Sequence, residues 1–132
     1  AFALPYTRQI FDALADCKVP RILFATCAST LLEAMASSGA EVIGVDWRVD
    51  LDRARQVLGP EIAVQGNLDP ACLVMEPPAL EQRVGDVLRR GDRRGHVFNL
   101  GHGVLPGTDE AKVRLLVETV HRLSATDPGE EP

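Results

Sequence analysis

Four times along the chain a short run of branched apolar residues gives way to a helical stripe, and this alternation restricts the fold more than any other feature. Parallel strands joined by helical crossovers produce that pattern. The first strand is expected over Arg21 to Ala25, followed by a helix from about Ser29 to Ser38. On that helix Leu31, Leu32, Met35 and Ala36 share one face, and Gly39 ends it. The second strand is Glu41 to Trp47; Asp50 then caps a short helix with Ala54, Val57 and Leu58 inward, stopped by Gly59-Pro60. The third strand is Ile62 to Gly66. Its helix opens at Pro77-Pro78, carries Leu80, Val84, Val87 and Leu88 as its stripe, and closes at Arg89-Arg90-Gly91. The fourth strand is His96 to Leu100. Thr108 and Asp109 cap the last helix, whose buried stripe is Val113, Leu116, Val117 and Val120. A further amphipathic helix, about Pro5 to Cys17, precedes the first strand with Ile10, Phe11 and Leu14 inward, and a mobile tail is expected from Ala125 onward.

The strands are apolar on both faces, which is expected when helices cover one side and something else covers the other. Four βα units make half of an eightfold barrel. Standing alone, such a sheet exposes two unpaired edges and an apolar inner face, so a missing partner is expected.

With 132 residues the chain is one domain. Apolar residues make up 45% and no run of about 18 of them exists to span a membrane, so a soluble protein is expected. The net charge of −5 gives no general attraction to nucleic acid or to an anionic membrane, and any anionic ligand must be held by local positive groups. Cys17, Cys27 and Cys72 are odd in number with no CxxC pair, which fits a reducing compartment and the cytoplasm. No initiator Met and no secretion signal are read at the start, Ala-Phe-Ala-Leu-Pro, and the chain is read as a piece of something longer.

In parallel α/β folds the chemistry gathers beyond the carboxyl ends of the strands. That rule selects Cys27, Asp46, Trp47, Arg48, Asn67, Asp69 and His102 with its flanking Gly101 and Gly103. The cluster Arg89-Arg90-Gly91-Asp92-Arg93-Arg94 falls at the opposite end and reads as a solvated loop. His102 is the leading candidate: an imidazole can donate to a carboxylate or move a proton near pH 7, and Gly101 and Gly103 free the backbone and leave room for a ligand. The plainer alternative is a loop histidine bonded to a nearby carbonyl. Asn67 and Asp69 either meet ligand or fold back on their own turn. Asp46 reads as a buried organiser of loops, and Arg48 either reaches an anionic ligand or points to solvent. Cys27, Cys72 and His102 are a weak candidate zinc set, because no compact His-x-Cys pair is present. Neither a Walker loop nor a GxGxxG follows a strand, so nucleotide binding is not supported.

Three ordered motifs, LFA…LLEAMASSGAEVIGVDWRVDLDRAR, VQGNLDP and HVFNLGHGVLPGTDEAKVRLLVETVHRLS, together with the opening FALPY, resemble the C-terminal part of the uroporphyrinogen decarboxylase family over about Phe2 to Ser124. The resemblance implies the C-terminal half of a (β/α)8 TIM barrel, from a cytosolic, cofactor-free homodimer that removes the four acetate carboxyls of uroporphyrinogen to give coproporphyrinogen. It maps the histidine of NLGHG onto His102, in the substrate pocket; Gly101, Gly103, Asn67, Asp69 and Arg48 are the accompanying candidates for substrate binding. The family's other pocket residues lie upstream of this chain, so the isolated chain is expected to be inactive. The segment Ala25-Thr26-Cys27-Ala28-Ser29 departs from relatives that often carry glycine there. Two alternatives accompany this reading: a corrinoid-linked zinc methyltransferase on a related barrel, and a non-catalytic half-barrel that pairs with another chain.

Overall fold

The computed structural model describes residues 2–92 and 94–125. In chain order the elements are α1 (Ala3–Ala13), β1 (Ile22–Phe24), α2 (Leu32–Ala36), β2 (Val42–Gly44), α3 (Leu51–Leu58), β3 (Ala63–Gln65), α4 (Pro77–Gly91), β4 (His96–Val97) and α5 (Glu110–Ser124). Short 3-10 turns occupy Ala15–Cys17 and Pro70–Val74. The four strands pair in parallel in the order β1-β2-β3-β4, and each connection carries a helix, so the chain forms a partial α/β barrel.

Register explains the two faces of the sheet. Leu23, Ile43, Val64 and His96 lie side by side across the four strands, and alternation sends them toward the helices. There Ile43 and Val64 are fully buried with Phe11, Leu32, Met35, Leu51, Ala54 and Leu58. A second core gathers Leu68, Cys72, Leu73, Leu80 and Val84 against Leu116 of α5. The opposite row holds Phe24, Gly44, Gln65 and Val97, with Ile22 one step below. On this inner face Ile22, Phe24 and Val97 are 46%, 45% and 47% exposed, and β1 and β4 are open edges. That is the uncovered apolar wall expected of half a barrel.

The expected elements are present, with shorter strands. The ladder spans two or three residues per strand, yet pairing resumes past β3 and β4, where Leu68 bridges Leu100. Several inward assignments need correction. Ile10 and Leu14 are 59% and 41% exposed, because α1 docks through Phe11 and turns the stripe Phe2, Tyr6, Ile10, Leu14 outward. Leu31, Val57 and Val117 are likewise exposed; Leu31 stands before the first turn of the short α2, and Thr119 takes a buried place on α5. Asp50 precedes α3 without capping it through its side chain, since its carboxylate pairs with Arg90 instead. Asp109 does cap α5, accepting from Ala111 N at 2.9 Å, whereas the Thr108 hydroxyl donates to the Leu105 carbonyl. Arg89 and Arg90 close α4 as expected and pair with Asp86 and Asp50 while 71% and 45% exposed, so these two members of the cluster are solvated, as read, but on the helix rather than on a loop. Arg93 and the expected tail, 126–132, lie outside the described residues. No helix among the described residues is long and apolar enough to cross a membrane.

Candidate functional site

The loops leaving β2, β3 and β4 are drawn together by close backbone approaches. Gly66, at φ +136°, leaves β3 so near β2 that a Cβ there would lie 2.7 Å from the Val45 carbonyl oxygen. Gly101 is tighter still, since a Cβ would meet the Trp47 backbone nitrogen at 2.3 Å. Leu68 N donates to Asn99 O at 3.1 Å and Gly101 N to Leu68 O at 2.8 Å, which ties the loop after β4 to the loop after β3. The expected freedom of backbone angles is not what Gly101 and Gly103 supply: the positive-φ glycines among the described residues are 39, 59, 66, 95 and 107. Gly101 is needed for contact, and Gly103 faces open space.

Asp46 organises the mouth that results. Its buried carboxylate accepts from Cys27 N and Arg48 N, both at 3.0 Å, and from Arg48 Nη1 at 2.9 and 2.8 Å. Burial pushes the Asp46 pKa up, but the donors from Cys27 and Arg48 outweigh it and hold the carboxyl below its ordinary value. The group is a fixed anion at neutral pH. Cys27 meets it from a left-handed conformation at φ 55°. Arg48 spends Nη1 on Asp46 and lays its guanidinium 4.3 Å from the centre of the Trp47 ring, a cation–π stack that orients Nε and Nη2 at a half-exposed surface.

Asn67 is buried and its Nδ2 donates to the carbonyls of Asp46 (3.1 Å) and Val49, so its amide braces the loop after β2. Asp69 Oδ1 accepts from Ala71 N at 2.9 Å and starts the turn Pro70–Val74, the backbone-shaping role of an Asx side chain. His102 is exposed, and its Nδ1 accepts from Gly103 N at 2.7 Å. With Nδ1 an acceptor, the neutral ring carries its proton on Nε2. A cavity of about 290 Å³ lies beside the cluster, lined by Trp47, Asn67, Asp69, Arg83 and Arg90 among others. A larger one, about 600 Å³, opens elsewhere, between Leu88 and Arg89 of α4, His96 and Phe98 at the β4 edge, and Val120 of α5.

The structure thus unites Asp46, Trp47, Arg48, Asn67 and Gly101. The zinc set is not assembled: Cys72 lies in the second core with its thiol pKa raised by burial, while Cys27 and His102 are exposed. Among the described residues no three His, Cys, Asp or Glu side chains are grouped to hold one metal ion. Two contacts escaped the sequence reading, the stacking of Trp47 on Arg48 and a bond from His96 to the Gly66 carbonyl. The adjacency of Trp47 and Arg48 was a signal for the first; no local signal points to the second.

The family model described as uroporphyrinogen decarboxylase (URO-D) matches residues 1–123. The chain is 50% identical over 126 residues to the uroporphyrinogen decarboxylase of Thermobifida fusca, covering 95% of this chain and 35% of that protein. It is 47% identical over 121 residues to that of Myxococcus xanthus, covering 92% and 35%. The chain therefore spans about a third of the length of the curated relatives it matches. A solved methyltransferase from Methanosarcina mazei superimposes with a TM-score of 0.79 at 19% identity, over 94% of this chain and 36% of that one, a likeness of fold alone.

Proposed function

The chain belongs to the uroporphyrinogen decarboxylase family, and from that premise we propose that it is the carboxyl-terminal part of an enzyme converting uroporphyrinogen III to coproporphyrinogen III. In this reading the upstream part completes the barrel, the whole works as a cytosolic homodimer, and the chain alone is inactive. The supporting observation is that the family match, residues 1–123, takes in every residue of the mouth.

The chemistry suits such a site. Each round protonates a pyrrole carbon, which makes the ring a cationic electron sink; the acetate carboxyl leaves as carbon dioxide, and the methylene carbon left behind takes a proton while the ring gives one up. The net change is one proton consumed and one carbon dioxide released per arm. Such a site must steer several carboxylates and handle protons. Arg48, braced by Asp46 and Trp47, offers Nε and Nη2 to a substrate carboxylate as charge-assisted donors. His102 presents the Nε2 side of its ring from an exposed loop and is the proton-handling or carboxylate-binding group. Asn67, Asp69, Gly101 and Gly103 shape the rim that substrate crosses.

The test is the full-length enzyme carrying this region with His102→Asn. Turnover of uroporphyrinogen is expected to fall about a hundredfold, as loss of a proton-handling side chain typically costs, or partly decarboxylated intermediates to accumulate. Unchanged kinetics and product distribution would remove His102 from the mechanism.

A further inference from the structure

We infer that His96 is a positioning residue for the mouth: from the helix side of the sheet it holds the Gly66 carbonyl, and through it the turn that carries Asn67. The inference rests on the reading that Arg48 and Asn67 border the ligand site. His96 belongs to the row of Ile43 and Val64, among apolar neighbours, where an imidazole without a partner is costly. Its Nε2 lies 2.7 Å from the Gly66 oxygen. A carbonyl only accepts, so Nε2 donates. The Gly66 N–H in turn donates to Val97 O at 3.0 Å. Both polar groups of Gly66 are therefore bonded to β4.

Asn67 follows directly, and its Nδ2 reaches the carbonyls of Asp46 and Val49. A path of contacts thus runs from the ring of His96, through Gly66 and Asn67, to the residue that fixes Arg48. The ring is also seated from behind. A Cβ on Gly91 would lie 2.1 Å from its Nδ1, so the glycine at the end of α4 makes room for it, and Phe98 stands edge-on with 6.4 Å between ring centres. Among the described residues, Arg55 from α3 acts on the ring electrostatically, and Arg89 and Asp92 from the end of α4 line the larger cavity with it. Burial is the chief influence in holding its pKa below the ordinary histidine value, aided by Arg55 and opposed by the bond to Gly66.

Two variants separate positioning from mere packing. His96→Phe keeps a ring and loses the donor, whereas His96→Gln places an amide donor near the position of Nε2. In ¹⁵N–¹H spectra of the chain, His96→Phe is expected to move the Asn67 side-chain amide and the Arg48 N–H and to speed Asn67 exchange about tenfold, the scale of one lost hydrogen bond. His96→Gln is expected to restore them. In the full-length enzyme, KM for uroporphyrinogen should rise about tenfold for the Phe variant with kcat changed far less, again reversed by Gln. Asn67 and Arg48 signals that stay in place in His96→Phe overturn the inference. If the Phe variant does not fold, the wild-type chain decides. A His96 Nε2–H resonance protected from exchange supports the inference, and an Nε2 that carries no proton or exchanges it freely overturns it, since protonation at Nδ1 leaves this bond in place. Absence of uroporphyrinogen turnover in the wild-type enzyme would refute the proposed function, and leaves these spectral outcomes standing.

Discussion

Gly101 and Gly103 flank the same histidine and do different work. A methyl at residue 101 would sit inside the Trp47 backbone at 2.3 Å, where no flexible side chain exists to yield, and one at residue 103 meets nothing within 4 Å. Gly101→Ala is therefore expected to destabilise the chain by about 3 kcal/mol through overpacking, and Gly103→Ala by less than about 0.5 kcal/mol. Paired urea titrations check the contrast, and equal losses would mean that the loops are not in contact. The sequence disclosed these glycines only as neighbours of His102. Their difference depends on Trp47, more than fifty residues away, and nothing local encodes it. Asp46 shows the opposite case. A carboxylate ending an apolar strand reads as a loop organiser, and the structure seats it under Cys27 N and Arg48 N.

Among the elements, α1 was the hardest to read. Its outward stripe and its inward residues both recur at helical spacing, and periodicity tells that a helix has two faces without telling which neighbour is present. Besides the buried Phe11, a polar clamp holds α1. Arg21 Nη1 donates to the Phe11 carbonyl at 2.6 Å, while its backbone N–H and guanidinium grip the Glu41 carboxylate at the start of β2. These bonds to Arg21 lower the Glu41 pKa to about 2. A depressed carboxylate pKa contributes stability that is present above the ordinary value near 4.5 and is lost as pH falls toward 2. The attachment of α1 is therefore expected to loosen across that window and to be pH-independent in Glu41→Gln. Amide exchange of α1 as a function of pH measures this, and wild-type protection that stays flat from pH 5 to pH 2 would contradict it. The later helices were legible because Pro77 opens α4 and Asp109 caps α5. Strand ends were less so, since ladder bonds cease where the loops begin to converge.

At the scale of the whole molecule, the parallel order of four βα units was readable from alternation alone, and so was the bare inner wall, because apolar residues on both strand faces demand cover on both. Ile22, Phe24 and Val97 line that wall, and the open edges of β1 and β4 flank it. The site follows the same division. On the proposed function, the mouth formed by Asp46, Arg48, Asn67 and the His102 loop is one side of a cleft that the upstream part of the enzyme completes. The most direct measurement is reconstitution: the upstream two-thirds of a family member, made separately, is mixed with this chain, and complex mass and uroporphyrinogen decarboxylation are followed together. The expected result is a stable one-to-one unit of the two pieces, which can pair further as a dimer, with activity that neither piece has alone and that His102→Asn in this chain abolishes or sharply reduces. Activity in this chain by itself, or two pieces that never associate while each remains folded, would contradict it.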